Sequence, residues 1–333
     1  MLLELTANGL FCPQGDFYID PWRPVDRALI THAHSDHARW GSREYLCHEQ
    51  TLPLLRLRLG EQSYSSLPWG ASLTHNGVQV SFHPAGHIIG SAQIRLEYKG
   101  EIWVVSGDYK TVDDGLSGRF EPVRCHTFIT ESTFGLPVYR WQPQEIVYEQ
   151  MRQWILENEG NGRSSVLLAY SLGKAQRVLD AIGGLGRKIF VHGAIWNTHE
   201  VLRSMGIALP DVERITPETP KEWLKKAIVV APPSADGSPW LKKFAPYATG
   251  VCSGWMQVRG NVRRRNADAG FVLSDHADWS GLLEAVEATG ASRVLVTHGF
   301  QSVFARYLTE KGLEAASLQT SFGKEEEGGD GHE

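Results

Sequence analysis

The first 135 residues alternate short apolar runs with polar turns. Gln79-Val80-Ser81-Phe82, Ala92-Gln93-Ile94-Arg95-Leu96 and Ile102-Trp103-Val104-Val105 read as strands, and His75-Asn76-Gly77 and Lys99-Gly100-Glu101 supply turns between such runs. The pattern changes near Pro143. Val147, Met151, Trp154 and Ile155 recur at helical spacing, behind a proline placed where a first helical turn tolerates one. Strand-like and helical stretches then alternate: Val166-Leu167-Leu168-Ala169, a helix over 174–181, Lys188-Ile189-Phe190-Val191, a helix over 198–205, and Ala227-Ile228-Val229-Val230. Such alternation predicts a parallel sheet with crossover helices. Phe271-Val272-Leu273, a helix over 279–288, Val294-Leu295-Val296 and a helix over 302–311 repeat the style.

Composition narrows the class. With 333 residues, 42% of them hydrophobic, the chain can build one large or two moderate cores. No run approaches the roughly 18 apolar residues of a membrane helix. Met1-Leu2-Leu3-Glu4-Leu5 has an early acid and no basic residue, unlike a secretion signal. Cys12, Cys47, Cys125 and Cys252 form no C-x-x-C pair, which fits a reducing, cytoplasmic setting better than a disulfide framework. The net charge of −5 is concentrated in the tail 324–333, which carries Lys324 against Glu325, Glu326, Glu327, Asp330 and Glu333 and is expected to be disordered. The nearly neutral body leaves room for a local basic groove.

The candidate chemistry sits at the ends of apolar runs. After Ala28-Leu29-Ile30 comes Thr31-His32-Ala33-His34-Ser35-Asp36-His37, with four metal-ligand side chains in six residues. Imidazole and carboxylate suit zinc or a similar divalent ion, and so dense a set suits a pair of ions sharing one pocket. Asp20, His87, Asp108, Glu131, His276 and His298 each lie at or just after further apolar runs, where α/β architectures gather their sites. Tyr170-Ser171-Leu172-Gly173-Lys174 lies between a strand and a helix. There Ser171 is expected to cap the helix and, with Lys174, to attract phosphate. Arg259, Arg263, Arg264 and Arg265 form a basic loop suited to a phosphate backbone, and Trp255 is a candidate for stacking a base. His48, His75, His83, His126, His192 and His199 read as structural or surface residues.

Asp20, the His32–His37 cluster, His87 and Asp108 resemble the motifs of the metallo-β-lactamase superfamily. Glu131-Ser132-Thr133-Phe134-Gly135, His276 and His298 resemble the further motifs of its β-CASP nucleic-acid-processing branch. The segments Thr31–Gly41, Gly254-Trp255-Met256 and Leu273–Trp279 are similar to those of bacterial ligase-associated DNA exonucleases. The resemblance implies an α/β fold. Its core would be a four-layer αβ/βα sandwich of residues 1–138 and 273–323, with a β-CASP domain of 139–272 inserted as a parallel sheet flanked by helices. It implies one divalent ion on His32, His34 and His87, a second on Asp36, His37 and His298, and Asp108 bridging both. Zinc is the expected metal and manganese the alternative.

By the same resemblance, a hydroxide activated by the two metals attacks phosphorus, with Asp36 and Asp20 among the catalytic residues. Asp20 orients a ligand histidine, and His276, placed by Glu131, protonates the leaving oxygen. The implied activity is a 5′→3′ exonuclease on single-stranded DNA in DNA repair, associated with an ATP-dependent DNA ligase and a helicase and not with a membrane. The family's DNA-acting eukaryotic members carry Val where its RNA-acting members carry the last histidine. His298 therefore keeps a ribonuclease as the alternative, including an RNA 3′-end processing enzyme. An ester or thioester hydrolase of the same fold is a second.

Overall fold

The computed structural model describes residues 1–258 and 267–318. The described chain forms two compact units, one of Met1–Arg140 together with the chain from His276 onward, the other of Trp141–Asp275. Arg259, Arg263, Arg264, Arg265 and the acidic tail lie outside the described residues.

The first unit holds two sheets. In one, β1 (Glu4–Thr6), β2 (Gly9–Cys12), β3 (Phe17–Ile19), β4 (Arg27–Ile30), β5 (Glu44–His48) and β6 (Tyr64–Leu67) lie in chain order. Pairing is antiparallel through β3 and parallel from β3 onward. Helix α1 (Leu52–Leu59) makes the crossover from β5 to β6 and buries Leu54, Leu55 and Leu59. The other sheet starts with the antiparallel meander β7 (Ser72–His75), β8 (Val78–Pro84), β9 (Ala92–Tyr98) and β10 (Glu101–Val105). Its remaining strands β11 (Thr127–Glu131), β17 (Arg293–Thr297) and β18 (Glu314–Ser317) all run parallel to β10. Phe17, Ile19 and Leu29 of the first sheet share a core with Val80, Phe82, Ile94, Leu96 and Trp103 of the second. The second sheet's other face packs Val104, Phe128, Val294 and Val296 against Leu282 of α5 (Trp279–Thr289) and Phe304 and Leu308 of α6 (Gln301–Glu310). This is the αβ/βα sandwich.

The second unit is one parallel sheet in the order β13 (Ile189–Val191), β14 (Ile228–Ala231), β12 (Ser164–Leu168), β15 (Tyr247–Cys252), β16 (Ala269–Phe271). Helix α2 (Gln144–Gly160) buries Val147, Met151 and Ile155, one per turn, in the core that holds Leu167 and Val230. Helices α3 (Lys174–Gly183) and α4 (Gly193–Ser204) fill crossovers. Helix α4 starts five residues earlier than its apolar spacing suggests, because His192 Nδ1 accepts the Ala194 amide as a cap. Among the described residues no helix is long and apolar enough to cross a membrane, and all four cysteines are buried and free.

Candidate metal centre

Parallel pairing brings the site together. Because β10, β11 and β17 run the same way, with Glu131 opposite Thr297, their carboxyl ends form one edge. Asp108 follows β10, Glu131 ends β11 and His298 follows β17. From the other sheet, β4 ends at Ile30 and delivers the His32–His37 loop. His87 sits in the β8–β9 turn, whose His87 and Ile88 amides donate to Ser91 Oγ at 3.0 and 3.2 Å. Gly86 is required there, because its φ is +73° and a Cβ would stand 2.5 Å from the Lys110 carbonyl.

The side chains converge in three groups, the first and last sharing Asp108: His32, His34, His87 and Asp108; Asp36, His37 and His298; and Asp108, Glu131 and His276. Within each, one ligand atom per residue lies within 4.8 Å of the others. Asp108 Oδ2 is 3.6 Å from His32 Nε2, 3.4 Å from His37 Nε2 and 3.8 Å from His87 Nε2. His87 Nε2 faces His34 Nδ1 at 3.1 Å, and the His37 and His298 rings stack 5.1 Å apart. Asp20 Oδ2 accepts from His37 Nδ1 at 2.7 Å and from the Thr31 hydroxyl at 2.6 Å, while Oδ1 accepts the Thr31 amide at 2.8 Å. Asp20 does this from a left-handed backbone, with φ +43°. Glu131 is fully buried. Its carboxylate lies 2.9 and 3.0 Å from His276 Nδ1 and accepts the Tyr109 amide at 2.7 Å.

Burial opposes charge throughout this cluster. At His32 and His298 burial prevails and holds the imidazole pKa below its ordinary value, well below at His32. At His37 burial also opposes the cation, but the charges of Asp108, Asp36 and Asp20 overcome it and hold the ring well above its ordinary value. Burial alone would raise Asp108; the positive His37 beside it holds the carboxyl well below the usual range instead. Asp36 is likewise lowered, against burial, by His37.

The donor set fits divalent cations. His32 Nε2 and Asp108 Oδ1 are buried with no hydrogen-bond partner among the described residues. A buried polar atom left so costs roughly 1–3 kcal/mol, a cost that coordination removes. Imidazole nitrogen and carboxylate oxygen are also the donors that intermediate to hard divalent ions take.

The sequence-based nucleic-acid contacts fare differently. Helix α3 begins at Lys174 with Gly173 (φ +92°) as its cap, not Ser171, and the Gly173 amide is satisfied by Gln176 Oε1 at 2.7 Å. The Ser171 side chain is therefore not the cap. Lys174 is buried, with its ammonium 3.5 Å from Asp275 Oδ2 and over the Tyr170 ring, so its charge is committed internally. Arg177 reinforces that pairing with 2.6 Å bonds to Asp275 Oδ1 and the Ser274 carbonyl. Trp255 is buried in a short 3-10 turn, which withholds the stacking face expected of it. An aromatic the sequence reading passed over is displayed instead. Trp40, three residues after His37, is 68% exposed beside exposed Arg39. Its loop is pinned by the Tyr45 hydroxyl, which donates to the Arg39 carbonyl at 2.7 Å and accepts the Ser42 amide at 2.8 Å.

No family model matches the chain. It is 34% identical, over 94% of its length, to a probable DNA ligase of Opitutus terrae. It is 24% identical, over 47% of its length, to an RNase J-like protein of Methanocaldococcus jannaschii. The matches span 30% of the first relative and 43% of the second. A crystal structure of a protein of unknown function from Enterococcus faecalis V583 shares the fold, with a TM-score of 0.57 at 12% identity, over 90% of this chain and 80% of that one.

Proposed function

We propose that the chain belongs to the β-CASP branch of the metallo-β-lactamase superfamily and is a metal-dependent phosphodiesterase acting on nucleic acid. The specific reading is a 5′→3′ exonuclease on single-stranded DNA in bacterial repair. The observation that carries the hydrolase is the shared carboxylate of Asp108, set between one group of three histidines and a second of Asp36, His37 and His298, with the His276–Glu131 pair alongside. The probable DNA ligase that matches nearly this whole chain supports DNA as the substrate and work beside a DNA ligase; the association with an ATP-dependent ligase and a helicase rests on the resemblance of Thr31–Gly41, Gly254-Trp255-Met256 and Leu273–Trp279. This reading makes residues 1–138 and 273–323 the metallo-β-lactamase domain and 139–272 the β-CASP domain, in a cytoplasmic protein.

In this reading His32, His34, His87 and Asp108 would hold one ion, and Asp36, His37 and His298, with Asp108, would hold the other, zinc or manganese being the metal the donors suit. Bound divalent cations would lower the pKa of an attacking water and neutralise charge on the phosphoryl oxygens. Asp20 holds His37 by its Nδ1, so Nε2 faces Asp36 and Asp108. Glu131 accepts from His276 Nδ1 and stabilises the charged ring. The opposite nitrogen is then left to protonate the leaving 3′ oxygen. Trp40 and Arg39 would meet the strand beside the ligand loop, the indole against a base and the guanidinium against phosphate.

The test is digestion of end-labelled single-stranded DNA and of matching RNA with zinc, manganese or magnesium, beside Asp108→Ala. Mononucleotides released from the 5′ end of DNA, and absent with the variant, are the expected result. Cleavage of neither polymer overturns the nuclease reading. Preferential RNA cleavage selects the ribonuclease, which His298 and the RNase J-like relative favour.

A further inference from the structure

Two of the histidines directly follow a threonine at a strand end: Thr31-His32 after β4 and Thr297-His298 at the end of β17. In each pair the threonine Oγ1 lies against Nδ1 of the next ring, at 3.0 Å for His32 and 2.9 Å for His298. A hydroxyl has one proton to give. Thr31 gives its proton to the Asp20 carboxylate at 2.6 Å, which has none to return. Thr297 gives its proton to the Thr130 carbonyl at 3.2 Å, which can only accept. Each oxygen can therefore only accept from the imidazole, so each Nδ1 carries the hydrogen. Nε2 is then the lone-pair nitrogen, the one a neutral imidazole offers to a cation. His32 Nε2 points at the Asp108 carboxylate, 3.6 Å away.

Both threonines are held in place. Thr31 is fully buried and its amide is bound to Asp20 Oδ1. The turn before Asp108 packs on it so closely that a Cβ on Gly107 would stand 2.7 Å from the Thr31 Cβ. Thr297 is 5% exposed and lies in the β11–β17 ladder opposite Glu131. A methyl group in place of either hydroxyl would fill the same space but leave the Nδ1 hydrogen without its acceptor, and the ring free to change tautomer.

We propose that Thr31 and Thr297 are positioning residues, one for each metal subsite. Each fixes the tautomer and setting of the histidine that follows it. Asp20 thereby acts on both subsites, on His37 directly and on His32 through the Thr31 hydroxyl. This rests on the two-ion reading above.

The experiment uses the full chain and zinc alone. Stepwise zinc affinities are measured by competition with a chromogenic chelator for wild type, Thr31→Val, Thr31→Ser, Thr297→Val and Thr297→Ser. Each valine variant is expected to weaken one of the two affinities by roughly 10–100-fold, and each serine variant by no more than about threefold. Histidine 15N–1H correlation spectra of the zinc-loaded chain give a second readout. The Nδ1–H pattern of His32 should be lost in Thr31→Val alone, and that of His298 in Thr297→Val alone. Should a valine variant fail to fold, the alanine variant removes the same hydroxyl and carries the same readouts. Unchanged affinities and tautomers in the hydroxyl-free variants overturn the proposal while leaving the metal reading intact. A wild-type chain that binds no zinc overturns the metal reading and this proposal with it.

Discussion

At the residue scale, His276 and Glu131 form the part of the site with the clearest division of labour. Glu131 is fully buried, and its carboxylate meets His276 Nδ1 at 2.9 and 3.0 Å. A general acid contributes typically 10²–10⁴-fold, and it needs both its proton and its orientation. His276→Ala is expected to lower kcat by about that factor, and Glu131→Gln by a smaller one, since an amide keeps an acceptor but loses the charge that favours imidazolium. Zinc content measured on the same preparations should stay at the wild-type stoichiometry in both. Loss of a metal equivalent in His276→Ala would make that residue a ligand of the Asp108, Glu131 and His276 group instead. The residue scale is also where sequence reading misses most. Lys174 precedes Asp275 by about a hundred positions, and no local pattern says that the two charges meet at 3.5 Å in a buried pair. Gly173 takes the cap from Ser171 because only glycine enters φ +92° without strain.

At the scale of elements, strands and helices were legible wherever the apolar period was clean. The run read at Gln79–Phe82 lies in β8, that at Ile102–Val105 is the body of β10, and the predicted helix at 279–288 is α5 within one residue. Helix α1 and strand β15 gave no such signal. Leu52–Leu59 packs leucines on nearly every side of a short helix, and Tyr247–Cys252 contains a glycine and a threonine in a strand flanked by β12 and β16. One element end carries a pH-sensitive residue outside the metal centre. His48 closes β5, stacks on Trp69 with ring centroids 3.3 Å apart and accepts the Gln50 amide on Nδ1. Burial pushes its pKa down to about 4 from the ordinary 6.5. The sign follows from linkage: the unfolded chain takes up this proton near pH 6.5 and the folded chain does so only near 4. The contribution is therefore intact above about 6.5 and is lost as pH falls towards 4. Urea unfolding across that window should show wild type losing on the order of 1–3 kcal/mol more than His48→Asn, whose amide oxygen keeps the Gln50 contact without the titration. Parallel slopes for the two proteins would remove His48 from the acid sensitivity.

At the scale of the whole molecule, the ligand types were readable from Thr31–His37 alone, but their convergence was not. It depends on β17 returning from a distant part of the chain to lie between β11 and β18. All seven proposed ligands belong to the unit of Met1–Arg140 and the chain from His276 onward, and each unit has its own core. A ligand that binds only the folded state stabilises it by RT ln(1 + [L]/Kd), about 2.7 kcal/mol at a hundredfold excess over Kd. Chelation should therefore move only the thermal transition of the ligand-bearing unit, downward by roughly 5–10 °C at the usual 2–4 °C per kcal/mol for a unit of this size. Calorimetry with zinc and with chelator measures it directly. Asp108→Ala supplies the control: it deletes the carboxylate nearest to both groups, so its melting should no longer depend on chelator. If both transitions of the wild type stayed fixed on chelation, the clustered histidines and carboxylates would have to be satisfied by one another. Such an arrangement is hard to sustain for His32 Nε2 and Asp108 Oδ1, which are buried without a hydrogen bond among the described residues.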